Sequence, residues 1–555
     1  MLSFSHPKIL LIVFFWSYGI LVTVVVVMGG QPGVEQRSHL MGLAVWLGIV
    51  GIPVVPTIAQ EAAPLENWTE IQAEIQAEIQ TEIQAEIRLE AQTPQTALCP
   101  ADLEDAIEAI TTREEFRRGH WGILVQTEDQ QTLYAQNAER LFIPASNAKL
   151  LTSAAILETL GADFRIRTSV YQLGSQSGET VLRIAGRGDP SLTDQDLRDL
   201  AQQLRDRGIT RIDLLMGDDS YFQGDATNPT WEWEDVQAGY GTPVNSLILN
   251  ENAIGLTLTP QAVGQPLRVD WMDAAETAQW QVVNRSVTVD PEAPEFVRVG
   301  RDLNQNVLYV EGQLRAGAEL ERAWVSVPQP AQRFMQRFGE ILAIQGIQVQ
   351  QSLITNSPVT NGGAEIAAVE SPPLAELLME ANQESVNLYA ESLLRILGVQ
   401  ASASDPTWED KTALAAGIEA VETVLTQLGV NSEGYALADG SGLSRRNLIS
   451  PEATVQTLQA MIRSVHAPLY RSSLPVAGVS GTLQNRFQNT PIQGRLQAKT
   501  GALTNAIALS GYLEPINYPA LVFSITVNQY NQPLGRVQQS MDEIVETLGQ
   551  LTSCD

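Results

Sequence analysis

The chain of 555 residues is short of the residues that most often carry nucleophilic and metal chemistry. It has four histidines (His6, His39, His120, His466), two cysteines (Cys99, Cys554) and four lysines (Lys8, Lys149, Lys411, Lys499). So few Cys and His ligands argue strongly against a Cys/His zinc centre. A Ser-His-Asp triad would have to draw on one of very few histidines. Positive charge is scarce too: 34 Lys and Arg face 64 Asp and Glu, for a formal net charge of −30. Nucleic acid binding depends on neutralising phosphates, so the acidic balance argues against that partner. Apolar residues are plentiful. At 44% hydrophobic and 18% charged, the chain can bury a sizeable core, and its length suits roughly three or four domains. Nearly all of its cations are arginines, so each lysine invites a question.

Ile9 to Met28 is an apolar run of about membrane-spanning length. Leu40 to Ala59 is a second, broken by Gly and Pro, and ends in the small-x-small pattern Thr57-Ile58-Ala59. Residues 1–59 read as a signal or anchor region. The favoured reading is export with cleavage near Ala59, the second run being the signal and the true start lying downstream, with Met41 the candidate. The alternative is an N-terminal membrane association through the first run. Either way the remainder is expected outside the cytoplasm, in the periplasm. Residues 60–98 form an acidic linker built on the unit Glu-Ile-Gln-Ala, with isoleucines at 71, 75, 79, 83 and 87. A four-residue spacing drifts by about 40° per step around a helix, so the stripe makes a poor coiled-coil seam and reads as a solvated spacer. Cys99 opens the body and Cys554 is the penultimate residue. In an oxidising compartment these two are candidates for a disulfide that joins the ends.

The first part of the body predicts a helix over 101–118, then strands at His120–Gln126 and Thr132–Ala135. The far end predicts strands at Arg495–Thr500, Ala506–Leu513 and Ala520–Val527, then a helix at Leu534–Leu551. Five strands with terminal helices suit one antiparallel sheet built from both ends of the chain, an α+β fold. Helical stretches are expected near Lys149–Leu160, Pro373–Glu380, Asn387–Leu397 and Ala413–Leu428. Residues 166–371, rich in short alternating runs, read as inserted, mostly β, material. The main domain is then discontinuous, 99–165 with 372–555.

Ser146 and Lys149 lie three residues apart at the start of a helix, on one face. A serine hydroxyl needs an adjacent base. A lysine serves only if its pKa is lowered, and arginine cannot serve at all. Alone, S-x-x-K is as easily an accident as a site. The same holds for Lys499-Thr500-Gly501, where a glycine in a strand leaves room for a bound ligand and a cation and hydroxyl could meet a carboxylate. Ser385-Val386-Asn387 taken singly is an ordinary helix start. The order S-x-x-K, S-x-N, K-T-G is more telling, because the trio accompanies β-lactamases and penicillin-binding proteins. Lys411 lies outside it and reads as a surface residue.

With these motifs in place the sequence resembles the class C low-molecular-mass penicillin-binding proteins, D-alanyl-D-alanine carboxypeptidase/endopeptidases. Longer stretches carry the resemblance: Gly188-Asp189-Pro190-Ser191-Leu192, Pro243-Val244-Asn245-Ser246-Leu247, Asp439-Gly440-Ser441-Gly442-Leu443-Ser444 and the run from Leu474 to Leu483. It covers roughly residues 100–550. The resemblance implies a penicillin-binding/serine β-lactamase-like transpeptidase domain with inserted domains. It also implies peptidoglycan stem peptides ending in D-Ala-D-Ala as substrate, β-lactams as covalent inhibitors, and neither metal nor cofactor. Ser146 would be the nucleophile, Lys149 its base, Ser385 a proton relay and Asn387 a holder of substrate and Lys149. Lys499 and Thr500 would bind the terminal carboxylate beside Gly501, with the Ser146 and Ala502 amides as oxyanion donors. Val386 and Ala502 depart from the family pattern, which bears on specificity more than on catalysis. Two other readings stand beside this one: a non-catalytic wall-binding protein that keeps the fold, and a β-lactamase-like hydrolase. A triad hydrolase would need His120 or His466, both of which read as structural or surface residues.

Overall fold

A strand buried along its whole length must be covered on both faces, because successive side chains point to opposite sides. Ala506–Leu513 and Leu521–Asn528 are such strands. In the computed structural model they lie inside an antiparallel five-stranded sheet. Its order is Leu496–Leu503, Ala506–Leu513, Leu521–Asn528, His120–Thr127, Thr132–Gln136. The two ends of the chain thus build one sheet, and each strand falls within a few residues of its expected place. The structure describes residues 97–174, 178–359, 363–404 and 411–554. Of a separate N-terminal unit it describes the backbone of four antiparallel strands, Ile9–Ser17, Ile20–Gly29, His39–Ile49 and Ile52–Val54. The first two of these strands overlap the first apolar run and the last two overlap the second, and among the described residues no helix is long and apolar enough to cross a membrane. The cleavage point near Ala59 and the Glu-Ile-Gln-Ala spacer lie outside the described residues.

One face of the sheet is covered by the terminal helices Leu103–Thr111 and Leu534–Gly549. Leu103 and Ile107, one turn apart, pack with Val537, Met541, Ile544 and Leu548 onto Ile123, Leu509 and Phe523. Each fully buried side chain of this size contributes about 1.5–3 kcal/mol. The expected helix over 101–118 stops at Thr111, and Phe116 turns inward to meet Trp121 edge-on, with ring centroids 5.9 Å apart. The other face carries a helical layer that includes Ala148–Leu160, Asn387–Ser404 and Pro451–Ile462. The first of these is buried at every position from Ala148 to Leu157. It is a central helix, walled in by neighbours on all sides.

The termini are stitched together. Leu98 N–H donates to Gln550 O at 3.1 Å, Thr552 N–H donates to Leu98 O at 3.0 Å, and Cys99 is disulfide-bonded to Cys554 across 455 residues.

The middle segment is richer in helix than its short alternating runs imply. A mixed five-stranded sheet runs in the order Gln348–Thr355, Arg211–Asp218, Val181–Ala185, Arg167–Leu173, Ala364–Glu370. Its first three strands are mutually parallel, and parallel neighbours need crossover connections, usually helical. Asp194–Asp206 and Pro330–Ile344 supply them, burying Leu197, Leu200, Leu204, Phe334 and Phe338. Two small three-stranded sheets share a further core around Leu256, Leu258, Leu308 and Val310.

Candidate active site

The segment that enters the helix Ala148–Leu160 is held at several points. Asn528 grips the backbone of Ile143 from both sides, accepting from its N–H at 2.7 Å and donating to its carbonyl at 3.1 Å. Ala145 takes a left-handed backbone, φ 48°, which is uncommon for a residue with a side chain and concentrates at functional turns. Asn147 Nδ2 donates to Ser510 Oγ in the sheet at 2.7 Å. Ser146, half-buried, stands between these fixed points.

Lys149 follows one turn later and is wholly buried. Its Nζ lies 3.0 Å from Ser146 Oγ, 2.6 Å from Asn387 Oδ1 and 2.8 Å from the main-chain carbonyl of Ser441. Burial pushes its pKa down to about 7, although Asp439 and Glu391 pull the other way. A lysine near neutrality in this setting is a usable base. The three contacts also say how. When Lys149 is neutral, its two N–H bonds are taken by Asn387 and Ser441, and its lone pair is left for the Ser146 hydroxyl proton.

Lys499 is likewise fully buried. Its Nζ donates to Ser385 Oγ at 2.8 Å and to Thr500 O at 3.0 Å. Burial, then the charge of Lys149, hold its pKa well below the usual lysine range, with Glu384 opposing. Ser385 has φ 62°, a second left-handed residue in the site. Asn387 Nδ2 donates to Tyr240 O at 2.9 Å, which fixes the amide's orientation. The three motifs are thus one cluster, linked by direct hydrogen bonds.

Leu496–Leu503 is an edge strand. The segment Pro475–Ala477 covers its first half, with Ala498 N–H donating to Pro475 O at 3.0 Å. From Lys499 onward no described strand pairs on that side. An edge left open there can accept an extended peptide. Gly501 lies against the nucleophile turn: a Cβ built on it would stand 2.7 Å from Pro144 O and 3.0 Å from Ser146 N. The glycine lets the strand and the serine amide share one small space. Thr500 Oγ1 is 2.7 Å from Thr482 Oγ1, and Ala502 is exposed just beyond.

The sequence reading did not single out Ser441, Glu391, Thr482 or Tyr240 as site residues. Ser441 and Tyr240 act through main-chain carbonyls, which no side-chain pattern reveals. Asp439 and Ser441 do sit inside a stretch quoted above for its resemblance. Asp439 accepts from Gly442 N–H at 2.8 Å, Ser444 N–H at 2.6 Å and Trp231 Nε1 at 2.9 Å. It braces the loop that presents the Ser441 carbonyl. Lys411 is remote from this cluster in its contacts and pairs with Glu419. His120 is exposed at the start of a sheet strand and His466 precedes the short helix Ala467–Ser472. No described hydrogen bond joins either one to Ser146 or Ser385.

Comparison with known proteins places this cluster in context. The chain is 33% identical over 450 residues to a D-alanyl-D-alanine carboxypeptidase of Actinomadura sp. (strain R39), covering 78% of this chain and 82% of that protein. It is 29% identical over 459 residues to penicillin-sensitive carboxypeptidase A of Dictyostelium discoideum, covering 77% and 86%. The crystal structure of penicillin binding protein 4 (dacB) from Haemophilus influenzae has a similar fold, with a TM-score of 0.67 at 24% identity, covering 80% of this chain and 98% of that one. Residues 103–548 match the D-Ala-D-Ala carboxypeptidase 3 (S13) family as a whole. On the strength of that span, and of a relative one-third identical over most of both chains, the protein belongs to the D-Ala-D-Ala carboxypeptidase 3 (S13) family of serine hydrolases.

Proposed function

We propose that the protein is a serine-type D-Ala-D-Ala carboxypeptidase that works through an acyl-enzyme on Ser146. The observation that carries this is the arrangement around Lys149: buried, near neutrality, and 3.0 Å from Ser146 Oγ. Ser146 Oγ attacks the carbonyl carbon of the penultimate D-alanine while its proton passes to Lys149 Nζ. The oxyanion is received by the amides of Ser146 and Ala502. The carbon–nitrogen bond then breaks, and the leaving D-alanine amine takes a proton through Ser385. Lys499 and Thr500 hold the terminal carboxylate. Water, deprotonated by the same base, attacks the ester and restores the serine. A β-lactam would acylate the same oxygen and stay.

Labelling with a fluorescent penicillin tests the assignment. We expect covalent label on the wild type and none on Ser146→Ala. Equal labelling of both would sink it. Release of D-alanine from a peptide ending in D-Ala-D-Ala separates an enzyme from a protein that only binds penicillin. Peptides cross-linked through the second residue from the end, assayed in parallel, would measure endopeptidase action.

Residues 99–165 and 372–555 act, in this reading, as one discontinuous catalytic domain, and 166–371 as an insertion. The shared sheet supports this. Action outside the cytoplasm, in the periplasm, is supported by the disulfide and the apolar N-terminal runs. N-terminal sequencing of the mature protein would separate a cleaved leader from a retained anchor.

A further inference from the structure

The loop Asp439–Gly442 is wedged between the helix Asn387–Ser404 and the nucleophile turn. A Cβ on Gly442 would stand 1.8 Å from Ala145 O, and one on Gly440 would stand 3.0–3.1 Å from Leu394 and Ala390 O. Within the wedge, Glu391 Oε1 accepts from two successive amides, Gly440 N–H and Ser441 N–H, each at 2.8 Å. The carbonyl of that same Ser441 meets Lys149 Nζ. Glu391 is fully buried, and its Oε2 has no hydrogen-bond partner among the described residues. It follows Asn387 by four positions on one helix, so the two side chains lie on one face.

We propose that Glu391 is a positioning residue for the general base. Its carboxylate fixes the Gly440–Ser441 backbone so that Ser441 O, together with Asn387 Oδ1, aims Lys149 Nζ at Ser146. This rests on the reading of Lys149 as base. A buried carboxylate with one bare oxygen is costly unless something returns the cost. Here the return is a fixed acceptor opposite Lys149. The charged groups around Glu391 are Asp439 on the wedged loop, Arg395 one turn along its own helix, and Lys149 on the nucleophile helix.

The test is the rate of acylation by a fluorescent penicillin from pH 5 to 9 in the full chain. It compares wild type, Glu391→Gln, Glu391→Ala and Lys149→Arg, with melting temperatures measured alongside. Glu391→Ala frees the two amides and is expected to lose on the order of 10²-fold, as small misplacements of reacting groups do. Glu391→Gln keeps an oxygen for both amides and is expected within about tenfold of wild type. Burial raises the Glu391 pKa to about 7, so its charge acts on Lys149 mainly on the alkaline side of the range; with that charge gone, the acid limb should move to lower pH. Wild-type acylation by Glu391→Ala would overturn the proposal. So would equal losses in both Glu391 variants with an unmoved acid limb, because that pattern belongs to a residue needed only for folding. If Lys149→Arg keeps acylating, the base assignment fails and the proposal falls with it. If Lys149→Arg is dead and Glu391→Ala is normal, the positioning role alone is wrong.

Discussion

Two lysines lie fully buried in one hydrogen-bonded cluster, and their surroundings differ in a way that suits the different work proposed for them. Lys149 meets three acceptors, of which two, Asn387 Oδ1 and Ser441 O, belong to the permanent fabric. Two carboxylates, Glu391 and Asp439, act on it from behind and limit how far burial lowers its pKa. Among the described residues Lys499 meets Ser385 Oγ and the carbonyl of Thr500. It feels the repulsion of Lys149, with Glu384 as the opposing charge. One lysine is therefore satisfied by protein and poised to exchange a proton. The other is short of an anion and sits at the open part of an edge strand. In the proposed function the same side chain serves as a base or as a receptor according to how completely the protein meets its donors.

The largest effect should come from breaking the first of these pockets. Arginine in place of Lys149 keeps the charge but cannot give up its proton. Lys149→Arg should therefore lower the acylation rate by about 10²–10⁴-fold, the usual contribution of a positioned base. With Lys149 as the proposed base, the active form is the neutral amine, so the rate should rise as pH passes upward through about 7, to which burial lowers the Lys149 pKa. A rate that falls through that range would mean that the ammonium is the working form.

A smaller loss is expected from the second pocket, and it should depend on the substrate. Removing a hydrogen bond to a charged group costs about 1.5–3 kcal/mol. Lys499→Ala should thus lower kcat/KM by roughly 10–100-fold for a peptide ending in a free carboxylate, with much less change for the same peptide amidated at its end. Because burial and the charge of Lys149 hold Lys499 below its usual pKa, the arriving carboxylate should draw a proton with it. Calorimetry in buffers of different ionisation heat would show that uptake in the wild type and its loss in the variant. Equal losses on both peptides would assign Lys499 to holding Ser385 in place.

The contrast between the two lysines was partly legible before any coordinates. Lysine is so rare in this chain that Lys149 and Lys499 drew attention by scarcity, and the spacing from Ser146 put one of them on the serine's face of a helix. The fabric around them was hidden for a physical reason. Ser441 and Tyr240 contribute carbonyl oxygens that every residue owns. Glu391 sits in the second turn of a helix, where a glutamate usually reads as solvent-facing; burial under the wedged loop is a tertiary fact. The sheet was readable because its strands alternate or run apolar at both ends of the chain. The helix Asp194–Asp206 also carries a clear pattern, with Leu197, Leu200, Ala201 and Leu204 on one face. The short strands around it dominate the segment's appearance and mask that pattern.

The smallest effect on chemistry should come from the staple at the termini. The Cys99–Cys554 bond joins the segments beside the two terminal helices, which cover one face of the sheet. Both lysines work on the other side, among Asn387, Ser385 and the helix Ala148–Leu160. Replacing both cysteines by serine should lower stability by about 2–4 kcal/mol, chiefly by freeing the unfolded chain. The acylation rate at 25 °C should stay within about twofold of wild type, since surface changes away from special contacts do little. Loss of stability with unchanged acylation would show that the terminal clamp holds the sheet without tuning either lysine. A shifted acid limb in the serine variant would instead mean that strain at the termini reaches Lys149 through the sheet, by way of Ser510 and Asn147.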